Sequence, residues 1–191
     1  RKPMHAALAA TLLVAVPALA FLAHRTVEHR RLLRGSAVEE IRREMRLADR
    51  GDHRLLLDDA ERILRIDPDN LFALRERALN ALYLAQQIEE RAPADPAVSV
   101  ARQAALESMA RMVRLEPENA SVHRLHAFVL EQVGRPAEAE RASRQAERHR
   151  SGEPGDEELN LDAMLAAGRG DHARAVELYS ELIGRKPAAS E

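Results

Sequence analysis

The chain has 191 residues, room for one domain or a domain with an appendage. Its apolar content of 46% can form a core, but with only 3% aromatic residues the burial falls to Ala and Leu. A net charge of −2 gives no global field toward nucleic acid or an anionic membrane, and the absence of cysteine excludes disulfides, a thiol nucleophile and a thiolate metal site. Strand formers are scarce and no alternating run is bounded by turn residues, so the expected class is all-α.

Residues 6–23 carry no charge and are mainly Ala, Leu and Val, with Arg1 and Lys2 before them and His24, Arg25, Arg30, Arg31 and Arg34 after. These eighteen residues make about 27 Å of helix, barely a bilayer core. Three readings stay open. A single-pass transmembrane anchor fits the length, the basic flanks and the lack of a polar face. A cleavable signal fits the small-x-small end Ala18-Leu19-Ala20 that follows Pro17. A buried helix is the third. The anchor is the expectation, with residues 1–34 as anchor or signal and 35–191 as a separate domain. The Arg excess after the segment argues for a cytoplasmic domain. The basic start and the small-x-small end argue for export, and an extracytoplasmic, periplasmic domain is expected, with a secreted form after cleavage as the alternative. Residue 1 is Arg, so upstream residues are expected, and in one reading 6–23 is the last span of a larger membrane protein.

Val38, Ile41, Met45 and Ala48 recur at helical spacing over 35–49, opposite Glu39, Glu40, Arg42 and Arg43. Gly51 ends that helix. A second helix is expected over about 52–66, capped by Asp52, with Leu56, Ala60 and Ile63 inward and Asp67-Pro68-Asp69-Asn70 as its exit. The third starts at Leu71 and runs to about Gln87, with Leu71, Leu74, Ala78 and Ala81 inward and Phe72, Leu79 and Leu82 on a flank. Surplus residues around 86–96 form either a surface loop or a lengthened helix with a short loop. Residues 97–115 turn Ala101, Ala105, Met109 and Met112 inward. After Asn119 the buried candidates are Val122, Leu125, Ala127, Val129 and Leu130. Gly134-Arg135-Pro136 leads to a helix with Ala139, Ala142 and Ala146 on one face, and residues 151–155 are a break. The last pair carries Leu159, Ala163 and Ala166, then Ala175, Tyr179 and Leu182, around a turn at 168–171.

These elements repeat. Gly51-Asp52-His53 lies seventeen residues before Pro68, and Gly170-Asp171-His172 seventeen before Pro187. Arg-Ile-Asp-Pro-Asp-Asn at 65–70 and Arg-Leu-Glu-Pro-Glu-Asn at 114–119 are near copies, and Pro68 to Pro187 spans three and a half 34-residue periods. On this basis residues 37–189 resemble the tetratricopeptide repeat (TPR) family, whose knob pattern for adjacent helices the small Ala175 followed by the bulky Tyr179 also matches. The resemblance implies a right-handed helical-hairpin solenoid of about four repeats (37–70, 71–119 with the insertion near 86–96, 120–153 and 156–189) plus one N-terminal apolar helix. The first repeat departs from the pattern, because Glu40, Arg43 and Glu44 fall where the family has apolar residues. A shifted turn or an atypical end repeat follows. Further sequence beyond Glu191 is expected, since the last pair has no capping helix.

No phosphate-binding loop, His-Glu-x-x-His or Gly-x-Ser-x-Gly is present, so no catalytic residue and no cofactor is expected. His123 and His126 are one helical turn apart without a third ligand, and no metal is expected. The acidic run Asp156-Glu157-Glu158 suits a helix first turn, and the Arg- and Glu-rich stretch 136–150 a salt-bridged solvent face without the aromatics a nucleic-acid platform needs. The resemblance implies a partner groove on the first helices of the repeats, at Phe72, Arg75, Glu76, Leu79, Arg124, Phe128, Asn160 and Met164. These residues lack the Lys/Asn set with which some members clamp a terminal carboxylate. The alternative for Leu79, Phe128 and Met164 is packing between helices. The expected function is therefore a membrane-tethered adaptor for a protein or peptide partner. The alternatives are the tail of a polytopic membrane enzyme such as a surface-polysaccharide ligase or polymerase, or a repeat protein of the cytochrome c maturation type.

Overall fold

The computed structural model describes residues 34–46 and 51–185. The chain divides into two units, residues 1–47 and 48–191. In the first unit, α1 covers 34–46, with Val38, Ile41 and Met45 buried along one face. The segment 6–23, Ala48 and the closing Pro187 lie outside the described residues.

The second unit is built from helical hairpins. Its elements are α2 (His53–Ile66), α3 (Leu71–Arg91), α4 (Pro96–Leu115), α5 (Ala120–Gln132), α6 (Pro136–Arg148), α7 (Asp156–Gly168) and α8 (His172–Arg185). All elements among the described residues are helical. The described residues adopt the expected all-α class.

Local chemistry sets the helix starts. A helix leaves its first backbone N–H groups without internal partners, and short polar side chains accept from them. Asp52 accepts from the Leu55 N–H at 3.1 Å, Asn70 from Ala73 at 3.1 Å, and Asp95 from Ala97 at 2.8 Å. Asn119 accepts from both Ser121 and Val122, at 2.9 and 3.2 Å. The two near-copied turns fold as copies. In each, the Asn amide also donates to the preceding acid, Asn70 to Asp67 at 3.0 Å and Asn119 to Glu116 at 2.5 Å. Inside the last two hairpins the reversal rests on glycine. Gly134 and Gly170 adopt φ of +78° and +79°, and the next residue's N–H returns to the helix end, Arg135 to Leu130 and Asp171 to Ala166, at 2.9 Å each.

The surplus residues of the second repeat do not form a surface loop. They lengthen the hairpin, so that α3 and α4 have 21 and 20 residues against 13 or 14 for the other helices of this unit. The third helix therefore passes its expected end near Gln87 and stops at Arg91. Ile88 packs against Val98 and Ala101 across the tip, beside Ala85. The Glu89–Arg102 pair at 2.7 Å closes it, and Asp95-Pro96 starts the return helix.

Alanine sets the helix spacing. Ala78, Ala81, Ala105 and Ala127 are fully buried, which brings backbones close around Leu82, Met109 and Val129. Helix α5 is the centre. It packs on α3, α4, α6 and α7, and every residue from Val122 to Leu130 except His126 is buried. The face Ala139, Ala142 and Ala146 of α6 is buried, as expected. In the last hairpin the expectation fails at one place: Leu178 is interior, while Tyr179 is 37% exposed.

Replacing Asn119 by Ala removes the one side-chain oxygen that accepts both capping bonds of the central helix. It should cost about 1 kcal/mol in urea unfolding. An unchanged midpoint would show that α5 is started by packing alone.

Candidate partner groove and the Arg124 cluster

Three helices carry the expected groove residues. Phe72, Arg75, Glu76 and Leu79 lie on α3, Arg124 and Phe128 on α5, and Asn160 and Met164 on α7. They do not line one open surface. Phe128 is 3% exposed and sits in the core with Leu125, Leu161 and Leu165. Arg124 is 1% exposed. Leu79 and Met164 are half-buried against the edge of the same core. Phe72 is the exposed apolar member. The residue after a small alanine on α5 thus points inward, because α7 arrives to cover it.

The remaining polar members are tied to neighbours. Arg75 reaches across from α3 to Glu157 of α7 at 2.9 Å. Asn80, itself buried, donates to the Glu76 carbonyl at 2.9 Å and carboxylate at 3.3 Å, and its Oδ1 meets His53 Nδ1 at 3.0 Å. The His53 ring stacks on Tyr83 at 4.8 Å. Asn160 Nδ2 approaches the Met164 sulfur at 3.7 Å.

Arg124 organises the densest polar cluster. Its Nε donates to both Asp162 oxygens, at 3.1 and 3.2 Å, and its Nη2 to Glu147 at 3.3 Å. Nη1 lies 3.0 Å from Glu158, without the alignment of a hydrogen bond. Glu158 also accepts from the Ser121 hydroxyl at 2.7 Å and from the Gly155 N–H at 3.3 Å. The acidic run at the start of α7 is therefore more than a complement to the helix dipole: its third member meets an interior guanidinium. Glu147, Glu158 and Asp162 were not legible as partners of Arg124. The signal available was weak, two acids one turn apart on a helix that also carries a buried face. Asp162 is pushed above the usual carboxylate range by its burial, against the opposing pull of the Arg124 charge and hydrogen bond.

The two histidines on α5 part company. His123 is buried, meets the Pro117 carbonyl through Nε2 at 2.7 Å, and stacks on His149 at 5.6 Å. His126 is held below its ordinary value of 6.5, first by burial, then by the nearby His123 charge and by Arg135, against Glu138. Among the described residues no group of three or more His, Asp or Glu is placed to hold a metal ion.

Truncating Arg124 to Ala leaves the half-buried carboxylates of Glu158 and Asp162 without their cation, beside the exposed Glu147. This should destabilise the fold by about 3 kcal/mol, whereas the apolar, similarly long Met should cost less. Equal losses would mean that charge, not packing, carries the cluster. A second measurement concerns His126. Its folded-state pKa is depressed, so below 6.5 the unfolded chain takes up a proton that the folded chain refuses. Stability from this group is complete at neutral pH and declines as pH falls through that window. His126→Gln should flatten the fall in urea midpoint between about pH 7 and about pH 5. An identical slope in the variant would refute the assignment.

No protein-family model matches the chain, and no curated protein matches it.

Proposed function

We propose that the chain is a membrane-tethered adaptor whose four TPR-like hairpins (37–70, 71–119, 120–153 and 156–189) form a right-handed solenoid and hold another protein, without catalysis. The reading is carried by one observation. The two Asp/Glu-Pro-Asp/Glu-Asn turns are copies down to their side-chain hydrogen bonds, so successive hairpins are started by the same device. Repetition of this kind stacks first helices side by side and offers their free edges to a partner. The packing of α5 on α7 supports it.

The contact surface on this reading is the edge formed by Phe72, Arg75, Glu76, Leu79, Asn160 and Met164. Arg124 and Phe128 support it from beneath. An exposed aromatic beside half-buried aliphatic residues suits the apolar face of a helix or an extended segment. The tether rests on the uncharged composition of residues 6–23. Among the described residues, no helix is long and apolar enough to cross a membrane. The basic residues before the apolar segment and its small-x-small end favour a repeat domain outside the cytoplasm.

The test is co-purification of the full chain from detergent-solubilised membranes, with Phe72→Glu and Met164→Glu as variants. Phe128→Glu would be uninformative, since a charge in the core would unfold the protein. Loss of one specific companion in both variants, with unchanged thermal unfolding, is the expected result. Equal recovery would remove the edge as a binding site, and recovery of the chain free of membranes would remove the tether.

A further inference from the structure

The two copied turns have a second property in common: each is preceded by an arginine in the last turn of its helix, Arg65 in α2 and Arg114 in α4. Both line one open cleft of about 430 Å³, together with Arg77 of α3 and Arg111 of α4. Its apolar wall is Leu64, Pro68 and Leu74. At 100° per residue, Leu74 and Arg77 lie across α3 from Phe72, Arg75 and Leu79, so this cleft is not the groove edge described above.

The charge balance here departs from that of the chain. Four arginines face two glutamates, Glu61 and Glu107, in a protein of net charge −2. The glutamates stand at 3.6 and 3.8 Å from Arg77, the long end of ion-pair range. The shorter contacts of Arg77 go to neutral acceptors, the Ser108 hydroxyl at 3.0 Å and the Ala104 carbonyl at 3.2 Å. Arg111 is paired with Asp69 at 2.8 Å. Arg65 and Arg114 are exposed and have no carboxylate partner among the described residues. Their position in last turns, near helix carbonyl ends, stabilises the cations but leaves their forked donors unused.

We propose that this cleft binds an acidic, leucine-bearing peptide segment of a partner protein, with side-chain carboxylates on Arg65 and Arg114 and an aliphatic side chain on Leu64, Pro68 and Leu74. A compact multivalent anion such as phosphate fits less well. It would ignore the apolar wall and meet Glu61 and Glu107 at close range, whereas carboxylates spaced along a peptide bracket them. The inference rests on the reading of the chain as a protein-binding module and adds a second surface of stated chemistry to it.

The experiment uses the full chain in detergent and a fluorescent peptide of alternating Glu and Leu. A Gln-Leu twin and inorganic phosphate serve as comparisons. The Glu-Leu peptide should bind with an affinity that falls as salt rises, and the twin should not bind. Arg65→Glu with Arg114→Glu should weaken binding at least about tenfold, while Arg141→Glu on α6 leaves it unchanged. The milder pair Arg65→Gln and Arg114→Gln replaces the reversal should circular dichroism show unfolding. Four results overturn the proposal: no binding by the unaltered chain, equal binding of the twin, full binding by the double variant, or an equal loss in Arg141→Glu. Displacement by phosphate at matched charge would also overturn it, in favour of a bare anion site. Failure here with a Phe72-dependent companion still recovered sinks the cleft alone. Peptide binding without any such companion sinks the groove edge and leaves the cleft.

Discussion

An arginine in the interior is the constraint around which the second unit is arranged. Removing a guanidinium from water is costly unless its donors and its charge are matched. Arg124 is matched by acids from two other helices, Glu147 of α6 and Glu158 and Asp162 of α7. The arrangement has a directional consequence. Helix α7 packs on α5 and makes no backbone approach to α6, so the start of α7 is positioned by the Arg124 cluster and by the Ser121–Glu158 bond as much as by apolar contact. The break at residues 151–155 is thus bridged by charge where the turns at 67–70 and 116–119 rely on an Asn cap behind a proline.

Around that cluster the core is nearly all aliphatic. Alanine on facing helices lets backbones come close, and the larger Leu82, Met109, Ile63 and Val129 fill what remains. Close packing of this kind leaves little apolar surface over. What is left is scattered, Leu55 on α2, Phe72 on α3 and Val100 and Leu115 on α4, apart from Val176, Tyr179 and Ile183 at spacings of three and four along α8. Some of the charged residues are paired three or four positions apart, as in Arg144–Glu140 and Arg185–Glu181. Such exposed pairs contribute little individually. The cleft beside Arg65 and Arg114 differs because its cations exceed its acids.

Sequence alone was sufficient for whatever depends on neighbours a few residues away. The cap Asp52 and the turns ending at Asn70 and Asn119 act through hydrogen bonds to residues two or three positions on, and the glycine turns through their own φ, so these helix starts and reversals were readable without knowing the fold. The alanine faces of α4 and α6 were readable too, because burial there follows the 3.6-residue period. Tertiary structure decided what depends on which helix arrives from elsewhere. Ile88 extended α3 because Val98 and Ala101 lay opposite to receive it. Phe128 became core and Arg124 an interior cation because α7 covers that side of α5, and Tyr179 stayed in solvent because Leu178 met the Leu159 and Ala163 face of α7 instead. Local hydrogen bonds are written in the order of residues, whereas desolvation is a property of the assembled surroundings.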